Sequence, residues 1–418
     1  MAAFPTSDLA ILALAMLLVA TVMAGTLSSR FGLPALLGFL ALGMFAGSEG
    51  PIGIEFANYG AAQFIGVICL IFILFSGGID TKWSLVRPMV WPALLLATVG
   101  VAVSAGVVAL ASMLLLGFSP LQGFLLGAVV ASTDAAAVFA VLRGSGHGIR
   151  SDLTALIELE SGSNDPMAIF LVGAALMLII TPTLSPAALM PAFVWQMAAG
   201  ALVGFVIGWA LPELLRRSEL RFGGLALVVS IAAALLAYGL AANLGGNGFL
   251  AAYVAGLVAG NRRHPQKKNI SQFQDGVAWL AQVVMFLALG LLVFPAELVA
   301  VAGPGLAVTV ILMFLARPLS VFISLAPFRQ FDWRAKAFVS WAGLRGAVPI
   351  VLATFPIVAG VPGARTIFNI VFFVVLISSI IQGPSLRYVA RKLGVATREI
   401  RDGPEDQPDG DVRLEGHS

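Results

Sequence analysis

Thirteen apolar runs, joined by connections that are alternately basic and almost free of basic residues, constrain this chain more than any other feature. They lie at about 8–28, 34–48, 60–79, 88–117, 120–142, 152–180, 186–212, 222–242, 247–261, 273–293, 299–326, 334–357 and 365–386. Crossing the hydrocarbon of a bilayer as a helix takes roughly 20 apolar residues, so most of these runs are long enough and two are short. With 59% hydrophobic and only 11% charged residues, against about 25% charged in a soluble protein, lipid is the expected solvent. The expectation is an all-α polytopic membrane protein of about 13 transmembrane helices.

The basic residues set the topology. Twenty-one of the 24 fall on one set of connections or on the C-terminal segment: Arg30, Lys82, Arg87, Arg143, Arg150, Arg216, Arg217, Arg221, Arg262, Arg263, Lys267, Lys268, Arg329, Arg334, Lys336, and six beyond residue 386. The opposite connections receive only Arg365, and Arg317 and Arg345 fall inside apolar runs. Basic connections stay cytoplasmic, which predicts an N-terminus outside, a cytoplasmic C-terminus and an odd number of spans in the inner (plasma) membrane. No Lys or Arg precedes the first run, so it reads as a mature helix and not a secretory signal. Cys69, the single cysteine, lies in an apolar run and reads as core. Residues 395–418 are polar and rich in Pro, Gly and acid, a composition expected to be disordered. The partner surface is the lipid bilayer; no nucleic acid is expected.

Two neighbouring runs carry ionisable groups where each one costs several kcal/mol or more. Ser132-Thr133-Asp134 lies in the fifth, and Glu160-Ser161-Gly162-Ser163-Asn164-Asp165-Pro166 in the sixth. Asp134 sits ~13 Å from the basic end of its helix and Asp165 ~20 Å from its own, at 1.5 Å per residue. Both therefore approach the midplane. Ser161, Asn164 and Asp165 share one face, at i, i+3 and i+4. Pro166 has no N–H and frees the carbonyl of Gly162. Hydroxyls, a carboxamide and carboxylates are hard oxygen ligands suited to a small group-one cation. The bland reading, that such groups only bond one another as interhelical glue, suits Ser and Thr but not two aspartates. Glu158 reads equally well as an interfacial residue.

The twelfth run contains Gly343-Leu344-Arg345-Gly346-Ala347-Val348-Pro349, in which two glycines and a proline should interrupt the helix. Arg345, ~15 Å from the basic end by the same rise, needs an anion, and the intramembrane acids supply one. Arg317, before Pro318 in the eleventh run, is a possible supporting cation or a side chain that snorkels to the interface. The fifth and twelfth runs cross in opposite directions, each with a polar interruption at similar depth. Paired interruptions of this kind mark two inverted repeats of a secondary transporter, here helices one to six and eight to thirteen. No phosphate-binding loop is present to couple ATP.

Thr133-Asp134, Glu160-Ser161-x-x-Asn164-Asp165 and Gly343-Leu344-Arg345-Gly346-Ala347 together resemble the signatures of the monovalent cation:proton antiporters, sodium/proton exchanger branch. The resemblance covers all thirteen runs. It implies a homodimer with a mobile core at about 88–180 and 299–390 and a dimerisation part at about 1–87 and 181–298, within a transmembrane domain of residues 1–394. It implies that Asp165 takes either the cation, Na+ or K+, or a proton, with Thr133, Asp134, Ser161 and Asn164 around the cation and Glu160 paired with Arg345 beside it. Asn164 stands where electrogenic relatives carry a second Asp, which implies electroneutral one-for-one exchange. The family usually has Pro after the first Asp. Here it is Ala135, and with Gly77-Gly78-Ile79-Asp80 this resembles the bacterial potassium/proton subset, whose members often carry a cytoplasmic regulatory domain after the last helix. No cofactor beyond the transported ions is expected, and no enzyme chemistry.

Three rivals use similar parts. A cation channel would show a repeated filter or rings of acid from several subunits, and neither is visible. An intramembrane aspartyl protease would place its second Asp in a Gly-x-Gly-Asp segment, whereas Asp165 follows Ser163-Asn164. A sodium-coupled symporter on a similar inverted-repeat fold stays open as the alternative, and would need a further polar cluster for its solute.

Overall fold

Continuous apolar sequence makes helices, and in this chain glycine, proline and polar interruptions decide where they break. A computed structural model describes residues 6–30, 33–144, 147–217 and 223–398. The helices are α1 (Thr6–Arg30), α2 (Ala35–Ala46), α3 (Tyr59–Asp80), α4 (Trp83–Leu116), α5 (Pro120–Val130), α6 (Ala135–Gly144), α7 (Ser151–Ile180), α8 (Leu189–Arg217), α9 (Gly223–Asn243), α10 (Gly248–Gly260), α11 (Lys267–Leu291), α12 (Ala302–Ser324), α13 (Trp333–Trp341), α14 (Ala347–Val358) and α15 (Ala364–Lys392). Among the described residues, nine of the expected crossings are long and apolar enough to span a membrane and four are shorter apolar helices. Length and composition therefore do not by themselves establish thirteen spans.

The fifth crossing is split into α5 and α6, and the twelfth into α13 and α14. The fourth and eleventh share another irregularity: each contains a single π-helical turn, Leu96–Gly100 in α4 and Leu312–Ala316 in α12. Matching breaks and matching π turns, seven crossings apart, are what two inverted repeats produce. Pro166 does not break α7, which runs unbroken through it.

The helices pack in two groups. In one, α3 lies between α10 and α11, α2 joins α11 to α1, and α8 and α9 cover α10. Gly200, Gly204 and Gly208 of α8 lie against the backbone of Asn247, Ala251 and Ala255, so the two helices touch through small residues as lipid-embedded helices tend to do. In the other group α5 packs on α4 and α7, α14 and α12 pack on α15, and α4 meets α12. The groups meet where α14 contacts α3 and α11, and where α7 contacts α10 and α3.

The segment after α15 corrects an expectation. Ala396–Arg398 forms strand β2, paired antiparallel with β1 (His147–Ile149) in the α6–α7 connection, with Thr397 opposite Gly148. The Arg150 amide donates to the Val395 carbonyl at 3.2 Å, and Val395 is buried. The polar composition that reads as disorder is overridden here because the connection offers unpaired backbone groups that the chain can satisfy. The remainder of that segment, 399–418, lies outside the described residues.

Candidate functional site

A helix that stops inside the membrane leaves its terminal backbone groups without partners, and the two split crossings satisfy one another. α5 ends at Val130, exposing the carbonyls of Ala131 and Ser132. Arg345, from the other break, donates Nη1 to both, at 2.8 Å and 2.6 Å. The Asp134 amide donates to the Leu344 carbonyl at 2.8 Å. At the C-terminal end of α13, Gln382 Nε2 donates to the Trp341 carbonyl at 3.0 Å. Both negative half-helix ends are thus covered by donors.

The positive ends face a carboxylate. Asp134 Oδ1 accepts from the Ala137 amide at 3.0 Å and caps α6. Its Oδ2 lies so close to Gly346, just before α14, that a β-carbon there would overlap it. Only glycine lets the start of α14 approach this acid.

α7 completes the site. Ser161 Oγ donates to the Thr133 carbonyl at 2.9 Å and accepts from the Ala135 amide at 3.1 Å. Asn164 Nδ2 donates to Thr133 Oγ1 at 2.6 Å. These bonds pin the break to α7 and bring Asp165, 6% exposed, to its edge. Ser132 stands beside Asp165. Asp165 Oδ1, Asn164 Oδ1 and Ser132 Oγ are buried with no hydrogen-bond partner among the described residues. Oxygens gathered on neighbouring elements, the Ser132 hydroxyl beside the Asp165 carboxylate among them, form the kind of donor set a group-one cation takes.

The expected Glu160–Arg345 pair is not formed. Glu160 is instead bound bidentate by Arg317, with Nη1–Oε1 at 2.6 Å and Nη2–Oε2 at 2.9 Å, and both residues are buried. Arg345 is held by the carbonyls of the broken fifth crossing, whereas Arg317 follows the π turn of α12 and meets Glu160 with its planar fork. Arg317 therefore does not snorkel. Thr133, Asp134, Ser161, Asn164 and Asp165 do come together, but the Ser161 and Asn164 donors are already committed to holding Thr133.

A cavity of about 920 Å³ leads to this place from the end of the molecule that carries the basic connections. Asp80, Thr81, Asp152 and Glu158 line its outer part, and Ser132, Asp134 and Asp165 its depth. It runs between the two helix groups, with Tyr253 of α10 facing α7. Three residues here escape sequence reasoning. Ser132 is in the polar triplet but carries no charge to single it out. Tyr253 looks like apolar filling. Asn247, in Gly245-Gly246-Asn247-Gly248, reads as a turn residue, although its Nδ2 donates to the Pro166 carbonyl at 3.0 Å.

Residues 16–392 match the family described as sodium/hydrogen exchanger, transmembrane. The chain is 42% identical over 379 residues to the K(+)/H(+) antiporter NhaP2 of Shewanella sp. (strain MR-4), covering 90% of this chain and 66% of that protein. To the K(+)/H(+) antiporter NhaP of Alkalimonas amylolytica it is 43% identical over 386 residues, covering 92% of this chain and 67% of the relative. It thus spans about two thirds of the length of these relatives. The sodium proton antiporter MjNhaP1 from Methanocaldococcus jannaschii, solved at pH 8, shares the fold with a TM-score of 0.79 at 24% identity, over 92% of this chain and 99% of that one.

Proposed function

This chain belongs to the sodium/hydrogen exchanger family, and from that premise we propose that it exchanges a monovalent cation, Na+ or K+, for H+, one for one. The observation that carries the reading is Asp165: a buried carboxylate with an unbonded oxygen, lining a one-sided cavity beside two crossed half-helices. Asp165 takes a proton or a cation in turn, with Ser132, Thr133, Asp134, Ser161 and Asn164 as the oxygens and amide around the ion.

The surrounding charges explain why the two fluxes are coupled. Arg317 and Arg345 balance Glu160 and Asp134, which leaves the charge of Asp165 unmatched. Loaded with either ion the site is neutral. Empty, it carries one negative charge whose transfer past lipid is costly. Only loaded sites cross, and exchange follows. Asn164 adds no second negative charge, in keeping with electroneutral turnover.

The second helix group, about 88–180 and 299–390, is the moving core. The first, about 1–87 and 181–298, is the frame and, in a homodimer, the contact between copies. The basic connections put the cavity mouth and C-terminus in the cytoplasm and the N-terminus outside. The names of the relatives at 42–43% identity favour potassium. The symporter alternative is left without support, since the family match and these relatives are exchangers.

The test is cation-induced collapse of a pH gradient in proteoliposomes, with sodium and potassium added separately. Wild type should respond to at least one ion, and Asp165→Asn should lose the response while remaining folded. Undiminished flux in Asp165→Asn would overturn the assignment.

A further inference from the structure

Asn247 bridges the frame and the site helix with one side chain. Its Oδ1 caps α10 by accepting from the Leu250 amide at 2.9 Å, and its Nδ2 donates to the Pro166 carbonyl at 3.0 Å. The residue is 4% exposed. α10 is fixed in the frame through its backbone contact with α8. Pro166 follows Asp165 on α7, in the other group. This bond therefore holds the site helix against the frame at the level of the site.

One turn nearer the cavity mouth, α7 offers a second acceptor. Pro166 lies inside the helix and has no N–H to give the carbonyl of Gly162. Gly162 faces the same helix, because Tyr253 of α10 lies directly against its Cα. The Tyr253 ring fills the space a side chain would take, and nothing on Gly162 itself stands between its carbonyl and α10. Positions 162 and 166 are i and i+4, so both present to α10 along one stripe.

We propose that α7 has two seats on α10, one helical turn apart, and that Asn247 latches each. In the seat seen here it holds the Pro166 carbonyl and the cavity opens at the basic end. A slide of α7 by about 5.4 Å toward the opposite end brings the Gly162 carbonyl to the same amide. Between seats the Asn247 donor is unbonded, so the slide has two stops and a barrier, as in other one-turn steps between packed elements. Pro166 thereby acts without breaking α7: by denying Gly162 its intrahelical donor, it keeps the second acceptor free. Asn247 is a positioning residue, since it acts on the site through α7. The purpose of the two seats rests on the exchanger reading; their existence does not.

The test uses distances between spin labels at exposed Lys268 on α11 and Trp333 on α13, replaced by cysteine in a Cys69→Ala background in lipid nanodiscs. Two distance populations are expected. Pro166→Ala, which restores an N–H to the Gly162 carbonyl, should deplete the second population about fivefold, the net effect of one hydrogen bond. Asn247→Ser keeps the cap on α10 but is too short to reach α7, so in that background Pro166→Ala should leave the ratio unchanged. A single population, or an equal effect of Pro166→Ala with and without Asn247, would overturn the proposal. Cation-driven collapse of a pH gradient, measured on the same wild-type protein, reports on the exchanger reading separately.

Discussion

Replacing Glu160 separates two arrangements of buried charge that differ only in which arginine holds it. The structure gives Glu160 to Arg317 through two bonds of 2.6 and 2.9 Å, while Arg345 donates to Ala131 and Ser132 carbonyls. Unit charges about 4 Å apart at an effective dielectric of 20 attract by about 4 kcal/mol, and by about 2 kcal/mol at twice that distance. Removing one partner of a buried pair costs about 3–5 kcal/mol, because the other charge is left uncompensated. Glu160→Gln and Arg317→Gln should each destabilise by an amount in this range, and the double variant by far less than their sum. The cycle of Glu160→Gln with Arg345→Gln should show at most half that coupling. Reversible unfolding in mixed micelles with increasing dodecyl sulfate, followed by tryptophan fluorescence, gives the four free energies of each cycle. If Glu160 couples more strongly to Arg345 than to Arg317, the assignment of the pair is wrong.

Three further outcomes follow from the same geometry. On the proposed competition of proton and cation for Asp165, lowering the pH should raise the apparent KM for the cation, approaching tenfold per unit once protons dominate, with the maximal rate unchanged; a fall in rate at constant KM would contradict competition. Gly346→Ala places a β-carbon against the Asp134 carboxylate and should abolish gradient collapse while destabilising by about 1–3 kcal/mol, the usual cost of overpacking; wild-type flux in this variant would count against the close approach. Ending the chain at Gly394 removes β2 and leaves the Arg150 amide without the Val395 carbonyl. Net hydrogen-bond values put the loss at about 1–2 kcal/mol in the same micelle titration, and no loss would mean that the ribbon contributes nothing.

Legibility differs between the fold and the site for a physical reason. The apolar runs and the alternation of basic connections report an element's solvent, and solvent preference is a property of each residue alone. The break in the twelfth crossing is visible for the same kind of reason, since two glycines and Pro349 weaken any helix that contains them. The break in the fifth is marked only by Ser132-Thr133-Asp134. Pro166 removes one N–H from the ladder without ending the helix: α7 stays helical through it. The two π turns left no trace in the pattern of residues, and neither did the strand at Ala396–Arg398, which exists because a distant connection offers it a partner.

The sequence by itself determined that this chain lies in lipid, that two aspartates meet at depth, and that two interrupted segments pair in opposed halves. Each of those statements concerns the cost of placing one residue type in hydrocarbon. Tertiary structure alone decided who satisfies whom: Arg317 and not Arg345 on Glu160, Arg345 on the ends of a broken helix, Asp134 shared between two helix starts, and Asn247 on Pro166. A buried charge must have a partner, and composition shows that much. Which partner depends on angstrom-scale positions of helix ends that are set by the packing of residues far apart in the chain.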